Sequence, residues 1–104
     1  MNSLNKIPRC DIFETKDEVW IAFDLPNVKK DDVKIEIEND QLRVDARAAK
    51  FLADDEHDDV TYSRAFRLPP GVNAEKVNAE MNDGVLTLKL PKPDELKPRR
   101  ITIN

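Results

Sequence analysis

Between Val77 and Leu90 the chain alternates with a period of two on both sides of Asn82-Asp83-Gly84. Val77, Ala79 and Met81 point one way, with Asn78 and Glu80 opposite. After the break, Leu86, Leu88 and Leu90 share one face against Val85, Thr87 and Lys89. Alternation around a short Gly-containing break predicts two antiparallel strands joined by a tight turn. Asp-Gly supplies the positive φ that such a turn needs, because Gly has no Cβ to clash. Pro91 has no N–H for a ladder and ends the second strand. The leucine face then requires a second sheet to cover it.

The same period recurs along the chain. Residues 11–15 form a short apolar-polar run, followed by a charged turn at 16–18. Val19, Ile21, Phe23 and Leu25 alternate with Trp20, Ala22 and Asp24 as far as Pro26. Residues 27–32 read as a solvated turn. Val33, Ile35 and Ile37 alternate with Lys34, Glu36 and Glu38, and Asn39-Asp40 turns the chain into Leu42 and Val44. Residues 46–50 read as the start of a helix. Val60, Tyr62, Arg64, Phe66 and Leu68 share one face, so an arginine stands on an otherwise apolar side. Residues 1–9, mostly polar, are expected to be a flexible arm, 10–91 the domain, and 92–104 an extension. Pro93 and Pro98 keep the first part of that extension stretched. Seven to eight short strands broken at Pro, Gly, Asn and Asp, with no convincing long helix, predict an all-β sandwich of antiparallel strands.

Composition narrows the function. Charged residues make up 37%, but the 39% that are hydrophobic fall in periodic positions, so the chain builds a core. A net charge of −4 weighs against nucleic acid or an anionic membrane as partner. Cys10 is alone, which excludes an internal disulfide and favours a reducing, cytoplasmic setting. No apolar run approaches the roughly 20 residues needed to cross a bilayer. Nothing supports catalysis. The single histidine, His57, stands among five carboxylates of 54–59 and reads as part of an exposed acidic loop. Neighbouring residues seldom converge on one ion, so no metal is expected there. With only Gly71 and Gly84, no phosphate cradle exists, and no cofactor is expected.

Six segments, in order, resemble the small heat shock protein (alpha-crystallin) family. Ala79-Glu80-Met81-Asn82-Asp83-Gly84-Val85-Leu86 is similar to its A-x-x-x-n-G-v-L signature, and Asp11–Thr15 to its opening D-I-y-E-t strand. Phe23–Pro26 resembles its D-L-P turn, Arg64–Pro69 its R-x-F-r-L-P strand, Pro91-Lys92-Pro93 its P-K-p, and Ile101-Thr102-Ile103 its I-x-I tail. One such piece is a weak signal; six in register are a strong one.

The resemblance implies an immunoglobulin-like sandwich that dimerises, assembles further, and holds unfolding client proteins without ATP. It assigns Ile101 and Ile103 to a tail that docks on another subunit, between the family's fourth and eighth strands. The receiving groove is then Val33, Ile35 and Ile37 on one side and Val77, Ala79 and Met81 on the other. Read from the residues alone, those six are equally good core positions, and the tail is equally a last strand of its own domain. Arg64 falls where animal members place a dimer-interface arginine; its plain alternative is an ordinary edge arginine. The loop over 46–60 is shorter than usual and lacks the family's aromatic-Gly motif, leaving Phe51 and Leu52 as the residues for strand exchange between partners. Asn27 replaces the usual Gly after Leu-Pro, and Asn tolerates positive φ. Most members carry a long apolar arm where about nine residues precede the match here. The competing expectation is a co-chaperone or adaptor of the same fold that binds one specific partner.

Overall fold

Alternating segments become eight strands in the computed structural model, which describes residues 2–48, 58–93 and 101–103. One sheet has the order β1 (Asn2–Lys6), β6 (Asp58–Arg67), β5 (Gln41–Ala48), β4 (Val28–Glu38). The other runs β2 (Cys10–Glu14), β3 (Glu18–Asp24), β8 (Val85–Pro91), β7 (Asn78–Asn82). Rows of paired residues cross each sheet on its inner face. Ile37, Leu42 and Phe66 make one row and Val33, Ala46 and Tyr62 another. Facing them, Ile21 stands beside Leu88, and Phe23 beside Leu86. Phe23, Leu25, Leu42, Val44 and Leu88 are fully buried between the layers, so the leucine face of β8 has the cover that its alternation demanded.

Turn chemistry fixes both hairpins. Asp83 (φ 49°) and Gly84 (φ 78°) join the paired residues Asn82 and Val85. Asn39 (φ 51°) and Asp40 (φ 61°) do the same between Glu38 and Gln41. Two central residues at positive φ match the right-handed twist of the strands they connect. Asn27 adopts φ 63°, as its position after Leu25-Pro26 requires.

Three local readings are corrected. Residues 2–6 are not a free arm but β1, which pairs in parallel with the start of β6, an exception to the antiparallel pairing elsewhere. Residues 27–32 are not simply a turn: β4 begins at Val28, which is buried and pairs with Ala48. Its register is then irregular until Val33, where a run of four charged residues has no place in the core. The helix expected from Ala46 does not start; β5 continues to Ala48, because Ala46 is held between Val33 and Tyr62 and buried. Before β7, a 3-10 turn over Ala74–Lys76 is capped by the Asn73 side chain, which accepts the Glu75 N–H at 3.0 Å.

Candidate functional site

The edge strands β4 and β7 lie on the same side of the sandwich, one in each sheet, and no further described strand covers them. Their inward-pointing side chains therefore line an opening rather than a closed core. Val33 and Ile35 from β4 and Ala79 and Met81 from β7 form the walls of a cleft of about 190 Å³, with Leu86 also lining it. Lys30 and Glu80, of opposite charge, complete the lining. Four of the six residues expected in the groove thus come together. Ile37 and Val77 are half-buried against the core but do not line this cleft. Leu86, Lys30 and Glu80 were not anticipated. Leu86 reads from its alternation as plain core, and nothing in the local pattern brings Lys30 to the cleft.

Ile101 and Ile103 are 87% and 92% exposed, so neither is a strand residue of its own domain among the described segments. Phe51 and Leu52 lie outside the described residues, as does His57 with most of its acidic run.

Arg64 occupies the inner-face row of Ile35 and Val44. Its Nη1 donates to the Pro8 carbonyl oxygen at 3.1 Å, and the guanidinium lies 4.7 Å from the Phe66 ring centroid. The arginine among apolar neighbours is thereby explained within one chain: its charge meets a carbonyl dipole and a π face. Trp20 is half-buried on the outer face of the second sheet, with the Lys89 ammonium 4.4 Å from its ring centroid.

The outer face of the first sheet is polar. Asp45 accepts from Arg43 Nε at 2.8 Å and from the Ser63 hydroxyl at 2.8 Å. The bond from Arg43 holds the Asp45 carboxyl below the usual carboxylate range, aided by Ser63 and opposed by partial burial. Among the described residues there is no cluster of His, Cys, Asp and Glu able to hold a metal ion.

These features define an all-β, immunoglobulin-like sandwich whose candidate binding surface is an open inter-sheet edge. A sequence profile of the Hsp20/alpha crystallin family matches residues 11–104, and the chain belongs to that family. It is 33% identical to spore protein SP21 of Stigmatella aurantiaca over 93% of this chain and 62% of that protein. It is 31% identical to small heat shock protein C4 of Rickettsia felis, over 96% of this chain and 67% of that one. The chain thus spans a little under or about two thirds of the length of these relatives. Heat shock protein 16.0 from Schizosaccharomyces pombe superposes with a TM-score of 0.73 at 26% identity, covering 94% of this chain and 98% of that chain. A small heat-shock protein from Xylella fastidiosa gives 0.72 at 25% identity, covering 94% and 96%. Members of the family are non-enzymatic chaperones, in agreement with the expectation that this chain is not an enzyme.

Proposed function

We propose that this chain is an ATP-independent chaperone subunit that binds exposed apolar segments of unfolding proteins and keeps them from aggregating. The observation that carries this reading is the pairing of an open apolar cleft between β4 and β7 with a tail whose two isoleucines are exposed. Two residues apart in an extended chain, Ile101 and Ile103 project to the same side, about 7 Å from each other. Burying each contributes roughly 1.5–3 kcal/mol. The tail of one subunit docks in the cleft of another, and clients take the same apolar surface when the tail leaves. Homo-oligomers follow from such docking; the solved Xylella fastidiosa relative is described as having a distinct high order structure. Arg64 at a dimer contact and strand exchange through Phe51 and Leu52 are part of the same proposal. So is a cytoplasmic location, which rests on the lone cysteine; among the described residues no helix is long and apolar enough to cross a membrane.

Light scattering of an unrelated heat-labile enzyme, with and without this protein and without ATP, tests the reading. Suppression near equal mass is expected. Undiminished scattering in the presence of the folded protein would remove the holdase assignment.

A further inference from the structure

Among the described side chains of β1, from Leu4 to Lys6, very little packing holds the strand in place. Leu4, its one apolar residue, is 44% exposed, and Asn5 and Lys6 are exposed as well. The Thr61 hydroxyl lies 3.4 Å from the Leu4 carbonyl oxygen and 3.2 Å from Asn5 Oδ1, so a single proton serves both. What remains is a backbone ladder of five residues, from Asn2 opposite Asp58 to Lys6 opposite Tyr62, in the parallel sense that is the less stable per residue. Immediately downstream the character changes. Pro8 is fully buried and takes the Arg64 hydrogen bond, and the Arg9 carbonyl accepts the Asp24 N–H at 2.9 Å. The chain is therefore anchored at Pro8 and Arg9, and β1 hangs from that anchor through Ile7, which is 76% exposed.

We propose that β1 is a displaceable edge strand, and that its opening presents residues 58–62 of β6 to an extended apolar segment of an unfolded polypeptide, which adds there as a strand. The inference deepens the chaperone reading and rests on it. Its occupant is argued from β1 itself. An edge that holds Asn-Ser-Leu-Asn-Lys recognises backbone rather than side-chain shape, as strand addition does. Beside Val60 and Tyr62, on the inner face, β1 offers only Leu4 and Lys6. An incoming segment with apolar residues at both positions buries more surface there and replaces it. Lys6 at an inner-face position also acts as a guard, because an inward-pointing charge on an edge strand discourages further pairing while β1 is seated. Ile12 on β2, 53% exposed on this side of the sandwich, extends the apolar surface that an added strand meets.

The test is a lock. Leu4→Cys with Val60→Cys, in a Cys10→Ser background, places two cysteines at paired positions of neighbouring strands, whose backbones lie about 4.8 Å apart, a separation that a disulfide spans between Cα atoms. With the intrachain bond confirmed by mass, suppression of heat-induced scattering of citrate synthase is compared before and after reduction. The locked form is expected to lose several-fold in suppression and the reduced form to regain it. In the opposite direction, Leu4→Pro with Asn5→Pro weakens the ladder in the full chain and is expected to raise suppression. Equal suppression by locked and reduced protein, with the parent active, overturns the proposal and leaves the chaperone reading intact. An inactive parent overturns both.

Discussion

The guanidinium of Arg64 and the carbonyl oxygen of Pro8 are 3.1 Å apart, a contact that ties the central strand β6 to the point where the chain passes from one sheet to the other. A charged donor on a buried carbonyl contributes about 1.5–3 kcal/mol and the contact with Phe66 less, offset here by partial exposure. Arg64→Ala is expected to cost about 1–2 kcal/mol in urea unfolding and to speed amide exchange in residues 2–6. Arg64→Lys keeps the charge but loses the planar fork, and should recover only part of the loss. Unchanged exchange in β1 would show that Pro8 is held without Arg64.

The cleft between β4 and β7 makes a separate prediction about assembly. Ile101→Ala together with Ile103→Ala should lower the oligomer mass measured by light scattering. Met81→Glu should do the same from the receiving side, because it puts a carboxylate among the apolar walls Val33, Ile35 and Ala79 where the isoleucines would be buried. An unchanged mass in the double alanine variant removes the docking claim.

Gly84 is required twice over. Its φ of 78° is costly for a side chain, and an added Cβ lies 3.4 Å from the Leu25 carbonyl oxygen. The Gly84 carbonyl also accepts the Leu25 N–H at 2.7 Å, so the turn cannot move away without losing that bond. Gly84→Ala is expected to lower stability by about 1–2 kcal/mol. Gly71 (φ 93°) carries backbone strain of the same kind, so Gly71→Ala is also expected to destabilise, but its added Cβ meets Pro93 only at an ordinary 3.7 Å and adds no tight contact. Denaturant midpoints of the two variants check both losses.

Acid should weaken the outer face of the first sheet. The Asp45 carboxyl is depressed in the folded protein by the Arg43 bond, then by Ser63. A group whose pKa falls on folding contributes stability above its unfolded pKa of about 3.9 and loses it as pH drops through the folded value. Asp45→Asn should therefore reduce stability at neutral pH and flatten its decline below about pH 4. The effect is small, since the carboxylate is 39% exposed and screened by water. Thermal melting of both proteins between neutral pH and pH 3 measures it.

Residue alternation alone determined that this chain is a β-sandwich, which side chains face inward, and where the two-residue turns fall. It does so because a strand's side chains alternate strictly and because few residues accept positive φ. Leu86, Leu88 and Leu90 against Val85, Thr87 and Lys89, and Asp83-Gly84 between their strands, were fully legible. Period two gives the face of a residue but not the position of its strand within a sheet. Val33, Ile35, Ala79 and Met81 carry the same signal as Leu42 and Val44. Only the strand order makes β4 and β7 edges, and so turns four core-like residues into the walls of an open cleft while Leu42 and Val44 vanish from solvent. Nor does residues 2–6's polar sequence announce a strand, since β1 is held by backbone bonds to a partner more than fifty residues away. Arg64 completes the contrast: the sequence shows an arginine on an apolar face, and only the tertiary fold supplies the Pro8 carbonyl that makes it fit there.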